Sequence, residues 1–165
     1  MKTQGPTTSR RRGVMKVQDV MSKNVRSCTP QDDLAAAARL LWNGDCGVLP
    51  IVVGAGRRVV GMLTDRDVCM AAWTQGRPLS EIPVEIAMAS DVVTCRPEDD
   101  VSEVLGRLRA RHVRRLPVVD ESQQLLGIVS LVDFARAAAE RGARSTVEDV
   151  CATLASISAP PPDSR

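Results

Sequence analysis

Apolar positions along this chain recur with two periods, and the order in which the periods alternate is itself repeated. Leu34, Ala37, Ala38 and Leu41 fall at i, i+3, i+4 and i+7, which gives a helix one apolar face. Val101, Val104, Leu105 and Leu108 keep the same spacing. Each helical stretch is followed by two short β-rich runs. These are VLPIVV (48–53) and VVGML (59–63), then LPVVD (116–120) and LLGIV (125–129). Gly-rich or polar turns separate the members of each pair, as in a hairpin. A second helix is expected from about Asp65 to Gln75 and again from about Leu131 to Arg141. Gly76 and Gly142 stand where a C-cap glycine belongs. Short extended pieces, VRSC (25–28) and VVTC (92–95), open the two series. In the second, Asp100 and Glu103 fit a capping box at the helix start.

Sliding the chain by 67 residues pairs Met21 with Met88, Cys28 with Cys95, Pro30 with Pro97, Asp33 with Asp100 and Pro50 with Pro117. Beyond the longer turn GAGRR the offset drops to 66, and Gly61, Thr64 and Asp67 meet Gly127, Ser130 and Asp133. The spacing therefore predicts an α+β protein made of two β-α-β-β-α repeats, at residues 15–78 and 79–142. One such unit buries too little surface to be comfortable alone. Two are expected to pack about a pseudo-twofold axis, with ligand sites at their interface. Residues 143–158 read as a C-terminal helix outside the repeat, with Val147, Val150, Leu154 and Ile157 on one face. Residues 1–14 (a basic tail) and 159–165 read as disordered.

Composition narrows the function classes. The chain has 165 residues, 44% apolar and 25% charged, which is ordinary for a soluble globular protein. No apolar run approaches the roughly 18 residues of a membrane span, and no apolar stretch follows the basic start, so a cytoplasmic protein is expected. Five cysteines without a CxxC pair read as reduced, mostly buried thiols. With His112 the sole histidine, a zinc site has little support and no metal is expected. The net charge of +2 names no partner. Its distribution says more: Arg107, Arg109, Arg111, Arg114 and Arg115 surround His112 with no acid among them, a patch suited to solvent or an anion. Nucleic-acid binding through this patch and Arg10–Arg12 would be weak and salt-dependent, and the aromatic platform of single-strand binders is absent. No nucleophile with an oriented base is evident, so catalysis is not expected.

The repeated stretches GMLTDRD (61–67) and GIVSLVD (127–133) admit two compatible readings. Thr64 and Ser130 follow a strand and precede a helix, so each is a good N-cap, and Asp67 and Asp133 complete capping boxes. The same geometry suits a ligand. A helix N-terminus favours an anion, an Asp in the first turn can accept two bonds from a ribose diol, and the flanking apolar strands offer a slot for a flat base.

Taken with VQDVMSKNVRSCTPQDDL, GVLPIVV, IAMASDVVTCRPEDDV and HVRRLPVVD, these stretches closely resemble a tandem pair of cystathionine-β-synthase (CBS) domains, the Bateman module, over about 125 residues. The chain is also similar to the short, free-standing bacterial CBS-pair proteins, the mycobacterial hypoxic response protein type among them. The resemblance implies a regulatory module that binds AMP, ADP, ATP or S-adenosylmethionine, reports to an effector protein, and forms a homodimer through its CBS helices. It implies that Asp67 and Asp133 hold ribose beside Thr64 and Ser130, with adenine near Ser27–Cys28 and Thr94–Cys95. It further implies that a basic pair before the L-P-V strand reaches across to the other unit's ligand. Arg114 and Arg115 form that pair, whereas Gly47 and Val48 stand at the matching positions of the first unit. With Arg66 nearby, the Asp67 site is expected to be the stronger one and to prefer a phosphate over the cationic S-adenosylmethionine. The rival expectation is a ligand-free member that serves as a protein-interaction or stress-response module.

Overall fold

The repeated pattern folds twice into the same series of elements. The computed structural model describes residues 14–159, so the two expected disordered tails fall almost wholly outside the described residues. The first repeat contains helix α1 (Leu34–Asn43), strands β1 (Val48–Val53) and β2 (Arg58–Thr64), and helix α2 (Asp65–Gln75). The second contains α3 (Val101–Ala110), β3 (Arg115–Val119), β4 (Leu125–Ser130) and α4 (Leu131–Arg141), and α5 (Arg144–Ser158) follows. Each strand pair is an antiparallel hairpin, with a register irregularity after Ile51 in one and after Val118 in the other. VRSC and VVTC do not become strands. Each adds one parallel bridge, Cys28 to Ile51 and Cys95 to Val118. The backbone carries the repeat as clearly as the sequence does. Non-glycine residues with positive φ come in equivalent pairs, Asp45 (45°) with His112 (51°) and Arg57 (53°) with Gln123 (62°).

The helix ends show which local signals held. Asp33 caps α1, accepting from Ala36 N at 2.7 Å. Asp100, its counterpart before α3, makes no side-chain cap bond, so the expected capping box with Glu103 does not form. Its carboxylate is taken by Lys16, and the first helical N–H, on Val101, donates instead to Met15 O at 3.0 Å. This ion pair raises the Lys16 pKa, the hydrogen bond to Asp100 being the largest cause.

That contact reflects an exchange between the repeats. The segment leading into the first repeat packs on the second: Val17 N and Gln18 N donate to Asp99 O and Pro97 O, and Met15 and Val17 join the second repeat's core. The segment leading into the second repeat packs on the first: Leu34 N donates to Ile82 O, Val84 N to Asp32 O, and Ile82 and Val84 join the first repeat's core. Val17, Ile82 and Val84 are wholly buried, and each contributes about 1.5–3 kcal/mol by that burial. The crossings are closed by paired backbone bonds, Ser22 with Ile128 and Met62 with Ala89, at 2.8–2.9 Å. Between them β2 and β4 meet where Arg58 bridges Gln124, so the pseudo-twofold relation passes between these strands.

Helix α5 lies on α3 and α4, but its buried face differs from the expected one. Val150 is buried and Ile157 packs on the second repeat's core as expected, whereas Val147 and Leu154 are 38% and 48% exposed and Thr153 is buried. The cause is Arg109, which donates to Thr153 Oγ1 at 3.0 Å while that hydroxyl donates to Asp149 O at 2.7 Å. With its hydroxyl satisfied, threonine can face inward.

Candidate functional site

Both Thr64 and Ser130 end a strand and cap the helix that follows. Thr64 Oγ1 accepts from Asp67 N at 3.2 Å, and Asp67 Oδ2 accepts from Thr64 N at 2.8 Å and Thr64 Oγ1 at 2.6 Å. Ser130 and Asp133 repeat the arrangement at 3.3, 2.9 and 2.6 Å. The capping reading is thus realised twice. In each case one carboxylate oxygen, Oδ2, carries the box. Asp133 Oδ1 also accepts from Arg136 at 3.0 Å. A carboxylate has about four lone-pair positions, so either Asp retains capacity for a ligand.

The surroundings separate the two sites. Ser130 and Asp133 open on a cavity of about 260 Å³ that also receives Arg115 and Ile128. Its other wall belongs to the first repeat, with Asn24, Val25 and Arg26 from the lead segment and Gly44, Cys46 and Val48 from the turn between α1 and β1. The antiparallel pair Ser22–Ile128 holds the two walls together. Asp67 instead borders a smaller hollow of about 180 Å³ with Met70, Ala71, Thr74, Gln75, Ile86 and Ala87. The residues equivalent to Asn24 and Gly44 are Asp91 and Arg111, which form an ion pair, and the residue equivalent to Arg26 is Val93, which packs on the second repeat's core. Asn24 and Gly44 line the Asp133 cavity, whereas their counterparts in the second repeat, Asp91 and Arg111, pair with each other.

The two members of the expected arginine pair line a common hollow, and Arg115 reaches a second one as well. Arg115 lines the Asp133 cavity, so the expectation that this pair leaves the Asp133 site without a cation does not hold. The absence of a side chain at Gly47 matters here, because the Arg115 guanidinium lies 3.7 Å from where its Cβ would be. Arg114 lies with Leu131, Val132 and Leu154 in a hollow against α5 whose lining Arg115 and Ser130 share. Arg66 is exposed on α2, its N–H donating to Asp65 Oδ1 at 2.7 Å. The wider arginine patch is also dispersed, since Arg107 pairs with Asp99, Arg109 with Thr153 and Arg111 with Asp91.

The four residues expected near the base, Ser27, Cys28, Thr94 and Cys95, make the following contacts within the chain. Cys28 and Cys95 are core residues, 4% and 1% exposed. Their carbonyls accept from Val52 and Val119, and their N–H groups donate to Pro50 O and Pro117 O. Burial, with Asp32 adding, pushes the Cys28 thiol up to about 11; burial, with Asp99 adding and Arg107 opposing, pushes Cys95 to about 12. Ser27 Oγ accepts from Arg57 at 2.9 Å, and Thr94 O accepts from Arg107 at 3.4 Å. The lead segment's part of the Asp133 cavity wall is formed by Ser22, Asn24, Val25 and Arg26, just before Ser27. Sequence reasoning missed these three and the turn Gly44–Val48. The signal available was their contrast with Asp91, Val93 and Arg111 at equivalent positions.

With this geometry in place, comparison with known proteins identifies the fold. A family model described as CBS domain matches residues 17–73 and 80–140. The chain belongs to the CBS domain family, as a tandem pair. The pair is 32% identical to hypoxic response protein 1 of Mycobacterium tuberculosis over 139 residues, 84% of this chain and 95% of that protein. A crystal structure of Hypoxic Response Protein I with two coordinated zinc ions superposes with a TM-score of 0.67 at 30% identity, covering 74% of this chain and 98% of that one. The CBS pair of protein MJ0100, solved with 5′-methylthioadenosine and S-adenosyl-L-methionine, superposes with a TM-score of 0.70 at 25% identity, covering 78% of this chain and 98% of that one. CBS pairs are regulatory modules that bind adenosine-containing ligands. Among the described residues, no group of three or more His, Cys, Asp or Glu is placed to hold a metal ion, and no helix is long and apolar enough to cross a membrane.

Proposed function

We propose that this CBS pair is a cytoplasmic, non-catalytic sensor of an adenine nucleotide, AMP, ADP or ATP, bound in the Asp133 cleft, which reports its occupancy to a partner protein in a stress response. One observation carries the reading. Ser130, Asp133 and Arg115 of one repeat share a cavity with Arg26, Gly44, Cys46 and Val48 of the other. A ligand there touches both repeats, so it favours the mutual orientation in which both sets of contacts are made. Asp133 takes the ribose hydroxyls, Val25 and Val48 flank the base, and Arg26 and Arg115 meet the phosphate. Two cations in a partly enclosed cleft favour a phosphate over the sulfonium of S-adenosylmethionine, because charge-assisted bonds are roughly twice as strong as neutral ones. The same charges rank the Asp133 cleft above the Asp67 site.

A thermal-shift titration tests this. Either Asp→Ala change removes the carboxylate half of a capping box while the Thr64 or Ser130 cap remains, which lowers the melting temperature somewhat without any ligand. The informative quantity is therefore the shift between ligand-free and ligand-saturated protein. At about 100 times the dissociation constant the ligand adds roughly 2.7 kcal/mol, a rise of about 5–10 °C for a chain of this size. That rise is expected with one of AMP, ADP or ATP for the natural chain and for Asp67→Ala, and is expected to vanish in Asp133→Ala. No rise with any adenine compound supports the ligand-free interaction module instead, a reading favoured by the apolar helix face of the first repeat.

A further inference from the structure

The turn between β1 and β2 closes with Arg57 N donating to Gly54 O at 3.0 Å, and Arg57 stands in the left-handed region at φ 53°. From there its guanidinium reaches back to the lead segment. One nitrogen, Nη2, donates to Val25 O at 3.0 Å and to Ser27 Oγ at 2.9 Å. These acceptors flank Arg26, and both Val25 and Arg26 line the Asp133 cavity. Arg57 itself lies outside that lining.

The backbone of the same residue is bound to the other repeat. Arg57 O accepts from Leu125 N at 3.1 Å, and Val59 N donates to Gln123 O at 3.0 Å. Leu125 opens β4, and β4 ends at Ser130, which lines the cavity beside Asp133. Arg57 therefore joins the two walls. Its side chain holds the lead segment of the first repeat, and its carbonyl holds the strand that delivers Ser130. The antiparallel pair Ser22–Ile128 ties the same two pieces at another point. A segment held at one point can pivot; one held at two separated points keeps its direction as well.

The second repeat keeps the turn and lacks the strut. Gln123, the counterpart of Arg57, holds φ 62°, and its N–H donates to Asp120 O at 3.1 Å. Among the described residues, no bond joins the Gln123 side chain to Val92 or Thr94, the counterparts of Val25 and Ser27. Thr94 O accepts from Arg107 of α3, within its own repeat, at 3.4 Å. The strut thus accompanies the larger of the two cavities beside an Asp.

We infer that Arg57 is the positioning residue of the Asp133 cleft: it sets where the Val25–Arg26 wall stands relative to Ser130 and Asp133. In this role the guanidinium acts through the wall and not on the ligand. Arginine suits the task, because its planar fork loses less side-chain freedom per hydrogen bond than a lysine. Ser27, expected near the base, serves the wall as one of the strut's two acceptors. The effect on nucleotide affinity rests on the nucleotide reading; the placement of the wall does not.

Hydrogen exchange and calorimetry on Arg57→Gln test this. The variant installs the residue that the second repeat already carries in the same turn conformation, so the chain is expected to fold. Without nucleotide, residues 22–28 are expected to exchange roughly tenfold faster. Within them, the Val25 and Cys28 amides donate to Lys23 O and Pro50 O. Exchange in α1 and α3 should match the natural chain, which separates a loosened wall from lost stability. The dissociation constant of the tightest-binding of AMP, ADP and ATP should rise about five- to tenfold. Ser27→Ala should act in the same direction, and should add less to Arg57→Gln than it costs alone. Arg58→Gln removes an equal charge from the next, exposed residue and should change neither readout. Unchanged exchange of 22–28 in Arg57→Gln, unchanged affinity despite faster exchange, or an equal loss of affinity in Arg58→Gln overturns the inference. If none of the three nucleotides binds the natural chain, the nucleotide reading fails, and exchange of 22–28 still decides whether Arg57 holds the wall.

Discussion

At the residue scale, the equivalence of Cys28 and Cys95 is an equivalence of packing. Each thiol is buried beside the strand its backbone bridges, and burial keeps it protonated well above neutral pH. The sign follows from acid ionisation: the folded pKa values of about 11 and 12 lie above the ordinary 9.0. The stability from the neutral thiols is therefore complete below about pH 9 and is lost as pH rises through 11 and 12. Iodoacetamide at pH 8 should label the exposed Cys69 and Cys151 of the native protein and spare Cys28 and Cys95 until it unfolds, as read by peptide mass spectrometry. Fast native labelling of Cys95 would contradict this placement. The caps Thr64–Asp67 and Ser130–Asp133 were legible in the sequence because they are local: a hydroxyl and a carboxylate three residues apart need only each other. Asp100 was misread by the same logic, because its partner, Lys16, lies 84 residues away. That the two thiols are buried was legible in the reading of the cysteines as reduced, mostly buried residues, which holds for Cys28 and Cys95 and not for the exposed Cys69 and Cys151.

At the element scale, the strand pairs and the ends of α2 and α4 follow from runs of β-branched residues and from Gly76 and Gly142 in the left-handed region, at φ 61° and 62°. The exchange of lead segments was not legible, because a repeat matches either partner equally well on paper. Its trace was in plain view as Met21/Met88 and Gly61/Gly127. A Cβ on Gly127 would lie 2.8 Å from Ser22 O and 3.1 Å from Met21 Sδ, and one on Gly61 would lie 2.7 Å from Met88 Sδ. Each glycine is the place where the other repeat's lead segment crosses. Gly127→Ala is expected to destabilise the chain by about 1–3 kcal/mol through overpacking, measured by urea unfolding. The crossing obstacle is backbone, which cannot rotate away as a side chain can. An unchanged midpoint would mean that the lead segment does not sit on β4 as described. In α5 the apolar spacing located the helix and misjudged its face, since Arg109 gives Thr153 a reason to turn inward that no pattern of hydrophobicity contains.

At the scale of the whole molecule, two nearly equivalent repeats give Asp67 and Asp133 different surroundings, with Asp133 on the larger cavity. The asymmetry lies in a few residues: Asn24, Arg26 and Gly44 on one side against Asp91, Val93 and Arg111 on the other. Duplicated architecture was visible along the chain because it is periodic. Which Asp borders the larger cavity was not, because the lining brings together residues distant in sequence, such as Asn24 and Asp133. The exchange gives each repeat a core completed by the other's lead segment, so a ligand that adjusts one wall of the cleft acts on both units. We propose that the Asp133 cleft binds an adenine nucleotide. Calorimetric titration of AMP into the natural chain, Asp67→Ala and Asp133→Ala tests it most directly. One site per chain, retained in Asp67→Ala and lost in Asp133→Ala, is the predicted result. Equal binding by all three, or loss in Asp67→Ala alone, would contradict it.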